Sequence, residues 1–253
     1  MHDTSAAQSR YLFIAGSGGI AMETAHVLQA KGARLFITGR DQSRLATSAS
    51  ALGNIAHCIC DASSFESVDQ AFEAANAELG GLDGVVCFAG SLLLKPAHLT
   101  SEAEFDLTVA ANLKAAFATV RSAGKYLGRD GGSVVLMSST AALHGLANHE
   151  AIAAVKAGIV GLAQSAAATY ANSNIRVNAV APGLTLTPLT AALTASDASR
   201  KVSQAMHPLG RLGQPHHIAS AVAWLLDPAN DWTTGQVLAV DGGLSRAMPK
   251  FKA

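Results

Sequence analysis

The stretch Ser138 to Lys156, SSTAALHGLANHEAIAAVK, brings together side chains that could move a proton or polarise a substrate. It follows an apolar strand pattern, Ser133-Val134-Val135-Leu136-Met137, and runs into an alanine-rich helix pattern. Ser139 would therefore stand at the carboxyl end of a buried strand and Lys156 inside the next helix. Ligands of a parallel α/β sheet gather beyond the carboxyl ends of its strands, so the hydroxyl would face that crevice. A hydroxyl there polarises a substrate oxygen, and a lysine supplies a fixed positive charge. His149 stands seven residues before Lys156 and three before Ile152; on one continuous helix the three share a face. An imidazole suits proton exchange at neutral pH. The competing reading makes Asn148-His149-Glu150 a polar helix start, with Asn148 as its cap.

Other elements must hold these groups. Tyr11-Leu12-Phe13-Ile14-Ala15 reads as a buried strand, followed at once by Gly16-Ser17-Gly18-Gly19-Ile20-Ala21 and a helix pattern from Met22 to Ala30. Strand, glycine turn and helix form the context in which G-x-G-x-x-(G/A) signals a dinucleotide site. Glycines permit the tight turn and let backbone amides approach a pyrophosphate. A tight turn with no ligand is the plainer alternative. The second strand, Arg34 to Thr38, ends in Gly39-Arg40-Asp41. An acidic residue at that strand end takes a ribose 2′-hydroxyl, whereas an arginine accepts a 2′-phosphate. Arg40 thus points to NADP(H), with NAD(H) as second choice, unless it is a solvated surface residue.

Ile55 to Ile59 makes a third strand, closed by Asp61-Ala62, where Asp61 is placed to accept from an adenine amino group or to cap the next helix. Ser63-x-x-Glu66 reads as that helix's capping box. Gly84 to Phe88 is a fourth strand ending in Ala89-Gly90, small enough for a cofactor to lie close. Ser101-x-x-Glu104 starts a helix that carries Asn112. Val134 to Met137, Ile175 to Val180 and the run into Asp241-Gly242-Gly243 complete seven strands. Strands alternating with helices at this spacing imply βαβ units and a mainly parallel sheet in one α/β domain, residues 1–253. After Pro182-Gly183 the periodicity breaks, and Leu184 to Pro208 reads as a substrate lid.

Bulk composition narrows the function classes. Apolar residues make up 49% of 253 and charged residues 14%, against ~25% in an average soluble domain. Eighteen basic and eighteen acidic residues cancel, so nothing marks a surface for nucleic acid or anionic membrane. No uninterrupted apolar run reaches the ~18 residues of a membrane span, and the first ten residues hold no apolar signal core. These features point to the cytoplasm. Cys58, Cys60 and Cys87 lie in apolar runs and read as buried thiols, and no histidine or cysteine spacing suggests a metal site.

Taken in order, the glycine loop, Asp61, Ala89-Gly90, Asn112, Ser138-Ser139, Lys156-Ala157-Gly158, Ile175-Arg176-Val177-Asn178, Pro182-Gly183 with Thr187, and Gly210-Arg211-Leu212-Gly213 make the chain resemble the short-chain dehydrogenase/reductase family. The resemblance implies a doubly wound Rossmann domain and an NADP(H)-dependent oxidoreductase acting on a small, apolar carbonyl, alcohol or activated alkene. It implies cofactor contacts at Gly16, Ser17, Gly18, Gly19, Ile20, Arg40, Asp61, Ala62, Ala89, Gly90, Lys156, Pro182, Gly183, Leu184 and Thr187. It also implies a symmetric homo-oligomer, tetramer or dimer, joined through the alanine-rich helices around Asn112 and Lys156. Family members carry an Asn–Ser–Tyr–Lys set. Asn112, Ser139 and Lys156 match it, but the tyrosine position is Ile152, which has no exchangeable proton. The glycine loop is also one residue short, and Cys87-Phe88 replaces paired asparagines. Three readings of Ile152 stay open: another group such as His149 supplies the proton; substrate or water supplies it; or the chain binds NADP without turnover. A methyltransferase could use the same glycine turn, but it would want an acidic residue where Gly39-Arg40 stands.

Overall fold

Parity along the strands explains why they read as unbroken apolar runs. On β1 (Arg10–Ile14), Leu12 and Ile14 point into one core and Tyr11 and Phe13 into the other. The same alternation holds on β4 (Gly84–Cys87), with Val85 and Cys87 against Val86, and on β5 (Gly132–Met137), with Val134 and Leu136 against Val135 and Met137. A sheet covered on both faces needs apolar residues at every position. The first core packs under α3 (Phe65–Leu79), α5 (Ala115–Tyr126) and α6 (Glu150–Tyr170). The second packs under α1 (Gly19–Ala30), α2 (Gln42–Ala51) and α8 (Pro215–Leu226). Fully buried side chains such as Phe13, Phe72 and Ile159 each contribute about 1.5–3 kcal/mol by leaving water.

The computed structural model describes residues 8–128 and 131–248. Its seven strands form one sheet in the order β3-β2-β1-β4-β5-β6-β7, and every pairing is parallel. The remaining strands are β2 (Arg34–Gly39), β3 (His57–Ile59), β6 (Ile175–Pro182) and β7 (Val237–Val240). The winding reverses between β1 and β4, so the crevice expected for a ligand opens beyond their carboxyl ends.

Several local readings shift. The cap of α3 is Ser64, whose hydroxyl accepts from Ser67 N–H, and not Ser63; Ser63 is held instead by the Asp61 carboxylate. The Ser101 capping box on α4 (Glu102–Val109) forms with both of its bonds. Helix α6 begins at Glu150, with His149 at the N-cap and Asn148 in the left-handed region at φ 63°. Helix α6 is long and apolar enough to cross a bilayer by length and composition. Its Ile152, Val155, Ile159 and Ala163 are buried within the domain, and Ile159, Ala163, Ala166 and Ala167 join the first core.

The segment after β6 carries a 3₁₀ stretch, Pro188–Thr194, and helix α7 (Asp197–Met206). Its two ends are joined through His207, which is buried. Leu184 N–H donates to His207 Nε2 at 3.3 Å, and His207 Nδ1 pairs with Ser203 O at 2.7 Å.

Candidate functional site

The turn after β1 is built by Thr38. Its hydroxyl accepts from Ala15 N–H and its carbonyl from Gly16 N–H, which fastens the loop to β2. Ala15 takes φ 58°, the left-handed region, where a side chain costs about 1–2 kcal/mol. This is the backbone adjustment that the shortened loop requires. Gly16 is obligatory for close approach: a Cβ there would sit 2.9 Å from the Cβ atoms of Phe13 and Ile37. Helix α1 then starts with Gly18 as N-cap, no side-chain cap and no acidic residue in its first turn. Its leading amides therefore carry the helix's partial positive charge into the crevice, and this end suits a pyrophosphate.

Facing that end is a cleft of ≈ 200 Å³. Gly18, Gly19 and Ile20 form one wall; Phe88, Ala89, Gly90 and Ser91 come from the end of β4. Ser138, Ser139, Ile152 and Lys156 come from β5 and α6, and Pro182, Gly183, Thr187 and Leu189 from the end of β6 and the segment beyond. A larger concavity, ≈ 640 Å³, lies at the amino ends of the strands between Arg10, Asp83 and Arg176. It gathers none of the chemistry described above, and the crevice of a doubly wound sheet lies at the opposite end.

Ser139 is half-buried in extended backbone, and its Oγ accepts from Ala141 N–H at 3.1 Å. That bond fixes the oxygen and leaves the hydroxyl proton free to point at a ligand. Ser138 turns away, donating to Lys156 O at 2.9 Å. Lys156 is 7% exposed, and its Nζ donates to Met137 O at 2.8 Å. β5 and α6 are thus stitched together twice where they line the cleft. Burial pushes the Lys156 ammonium down to about 8, opposed by the Cys87 thiol on β4. Ile152 is 1% exposed and one turn before the lysine.

Asn112 is fully buried in a π turn, Ala110–Lys114, between α4 and α5. Such turns re-aim a helix's side chains and recur at functional sites. Here the Asn112 Nδ2 donates to Ser91 Oγ at 3.0 Å and Thr108 O at 2.9 Å, while its Oδ1 accepts from Ser91 N–H at 3.3 Å. Both amide donors are used, and the group secures the Gly90-Ser91 loop. A Cβ on Gly90 would lie 3.1 Å from Asn112 Oδ1 and 3.4 Å from Lys156 Nζ, so the absence of a side chain keeps the lysine in place.

The other sequence candidates are more dispersed. The His149 ring pairs with Ala147 O at 2.7 Å and is not part of the cleft wall; because α6 starts after it, the shared helical face does not form. Asp61 and Ala62 also lie outside the cleft wall. The Asp61 carboxyl is held below its ordinary value by bonds from Ser63, aided by the positive charges of Arg40 and Lys114. Leu184 lines a neighbouring hollow beside His207 and Asp241. Arg40 is exposed. Arg44, which sequence reading passed over, lines the cleft and donates to Ser17 O at 3.2 Å. The signal was present in Asp41, whose carboxylate caps α2 by accepting from Arg44 N–H and so sets this arginine in the first turn beside the glycine loop. Ser91 was also missed. Among the described residues no group of three or more His, Cys, Asp and Glu side chains could hold a metal.

Known proteins share this fold. A family profile described as enoyl-(acyl carrier protein) reductase matches residues 14–245. The chain is 35% identical over 240 residues to carbonyl reductase family member 4 of Danio rerio, covering 92% of this chain and 96% of that one. A short-chain type dehydrogenase/reductase from Mycobacterium ulcerans superposes with a TM-score of 0.90 at 32% identity, covering 96% and 93% of the two chains. An actinorhodin polyketide ketoreductase variant crystallised with NADPH superposes at 0.89 with 26% identity, covering 94% and 98%. These matches span nearly the whole chain and the crevice in which its reactive groups meet, and the protein belongs to the short-chain dehydrogenase/reductase family of oxidoreductases.

Proposed function

We propose that this chain is an NADP(H)-dependent oxidoreductase acting on a small, apolar carbonyl compound or its alcohol, or on an activated alkene. The observation that carries the reading is the cleft in which the open amino end of α1 faces Ser139 and Lys156. When bound, the cofactor supplies hydride. The Gly16 to Ile20 loop would hold its pyrophosphate, Arg40 and Arg44 its 2′-phosphate, and Lys156 its ribose hydroxyls. Asp61-Ala62, Ala89-Gly90, Pro182-Gly183-Leu184 and Thr187 would complete its bed. Ser139 would donate its hydroxyl proton to the substrate oxygen, and Asn112 would hold the Gly90-Ser91 wall. Phe88, Leu92, Ile152 and Leu189 make the substrate side apolar, with residues 184–208 as its lid. The NADPH carried by the polyketide ketoreductase supports the cofactor choice, and relatives named as reductases weigh against binding without turnover.

Titration followed by nicotinamide fluorescence tests the cofactor choice. NADPH should bind at least about tenfold more tightly than NADH, a difference of ~1.4 kcal/mol. Equal affinities would remove NADP preference, and binding of neither would remove the reading. We further propose a homo-oligomer formed through α4, α5 and α6; Phe105, Leu107 and Phe117 are exposed on the first two. Light scattering should give a dimer or tetramer at micromolar concentration; a monomer would refute it.

A further inference from the structure

The proposed reaction leaves one chemical need unmet, because Ile152 cannot give a proton to a substrate oxygen. We propose that the Lys156 ammonium itself is the general acid of this enzyme, delivering its proton directly to the oxygen that Ser139 holds. The inference rests on the oxidoreductase reading above.

Geometry carries it. Lys156 and Ser139 line one cleft, one from α6 and one from the end of β5, and Ile152 lines it too. The Lys156 Nζ has three N–H donors and makes one hydrogen bond, to Met137 O, which leaves one for the cofactor's ribose and one for the substrate oxygen. Among the described residues no carboxylate pairs with it. Cys87 on β4 is the titratable group that acts on it, and the amide of Asn112 closes on Gly90 from the other side. Ile152, in the same cleft wall, has no polar atom to compete for those protons. Burial also moves the amine into the range where it can give and regain a proton near neutrality, as general acids require.

The balance is simple. The carbonyl carbon gains the hydride supplied by NADPH, which becomes NADP⁺, and the C=O π pair moves onto oxygen. The N–H bond at Lys156 Nζ breaks as the O–H bond of the alcohol forms. The neutral amine then takes a proton from solvent. The sign of the pH dependence follows. Reduction needs the protonated amine, so its rate is level below about 8 and falls tenfold per pH unit above it. Alcohol oxidation needs the free amine and rises towards the same value.

Two measurements test this on the full chain. Protein carrying ¹³Cε-labelled lysine, without cofactor, is titrated by NMR. One resonance should titrate well below the other lysines and vanish in Lys156→Arg. NADPH-dependent reduction of 9,10-phenanthrenequinone, an activated apolar dicarbonyl, is then followed from pH 6 to 10. Wild type should show the descending limb. Lys156→Arg keeps the charge and N–H donors but cannot release a proton, so at saturating NADPH it should lose at least about 100-fold in kcat. If the arginine does not fit, Lys156→Ala should regain turnover with added methylamine. A flat profile through pH 10, Lys156→Arg turnover within threefold of wild type, no response to methylamine in Lys156→Ala, or no quinone reduction by NADPH-loaded wild type overturns the proposal. Failure to bind NADPH overturns instead the reading on which it rests.

Discussion

Ile152→Tyr is expected to raise NADPH-dependent quinone or ketone reduction at least tenfold. Ile152 lines the same cleft as Ser139 and Lys156, one helical turn before the lysine. A phenol there would have an ammonium beside it, and a nearby positive charge lowers a phenol's pKa towards the working range. A well-placed general acid contributes about 10²–10⁴ in rate. The expected gain is set lower for two reasons. Lys156 already delivers a proton in the proposed mechanism, and the new ring must enter a site where the isoleucine is 1% exposed. Overpacking of that kind costs about 1–3 kcal/mol and can misplace the hydroxyl. Tenfold still corresponds to ~1.4 kcal/mol in the barrier and is readily measured. The descending pH limb should also move, because the proton then leaves oxygen and not nitrogen. An unchanged rate and unchanged limb, with NADPH affinity intact, would show that proton delivery does not limit this enzyme.

Removing both Arg40 and Arg44 is expected to weaken NADPH binding about 100-fold and to leave NADH binding within about threefold. A hydrogen bond to a charged group contributes about 1.5–3 kcal/mol, and bidentate arginine–phosphate pairs are among the stronger cases. Both side chains are exposed, which places each at the low end, about tenfold apiece. Arg44 is tethered to Ser17 O across the glycine loop, while Arg40 stands at the end of β2 where its charge reaches Asp61. Together they would bracket a 2′-phosphate. Titrating the single and double variants with NADPH and NADH separates the alternatives. Parallel losses for both nucleotides would place the arginines on the pyrophosphate or on loop stability, and no loss for either would remove them from the site.

What could be read from the chain alone was whatever depends on local pattern. Unbroken apolar runs separated by helical spacing specify strands covered on both faces, and the seven-stranded parallel sheet follows from that alternation. The glycine loop was legible because Gly16 has no room for a Cβ, a constraint that leaves its mark on residue type. Ser139 and Lys156 were legible because a strand end and the following helix necessarily meet at the crevice. Tertiary structure decided the rest, because long-range contacts leave no periodic trace. Asn112 is turned by a π turn onto Ser91, a pairing 21 residues apart. His149 is removed from the cleft because the left-handed Asn148 delays the start of α6. Helix α6 is apolar enough for a bilayer, and only the fold shows that Ile159, Ala163, Ala166 and Ala167 pack into the first core. The lowered protonation range of Lys156 exists only once the fold buries it, with the Cys87 thiol opposing the shift. Side-chain chemistry is written in the sequence, but desolvation, which tunes that chemistry, is a property of the folded neighbourhood.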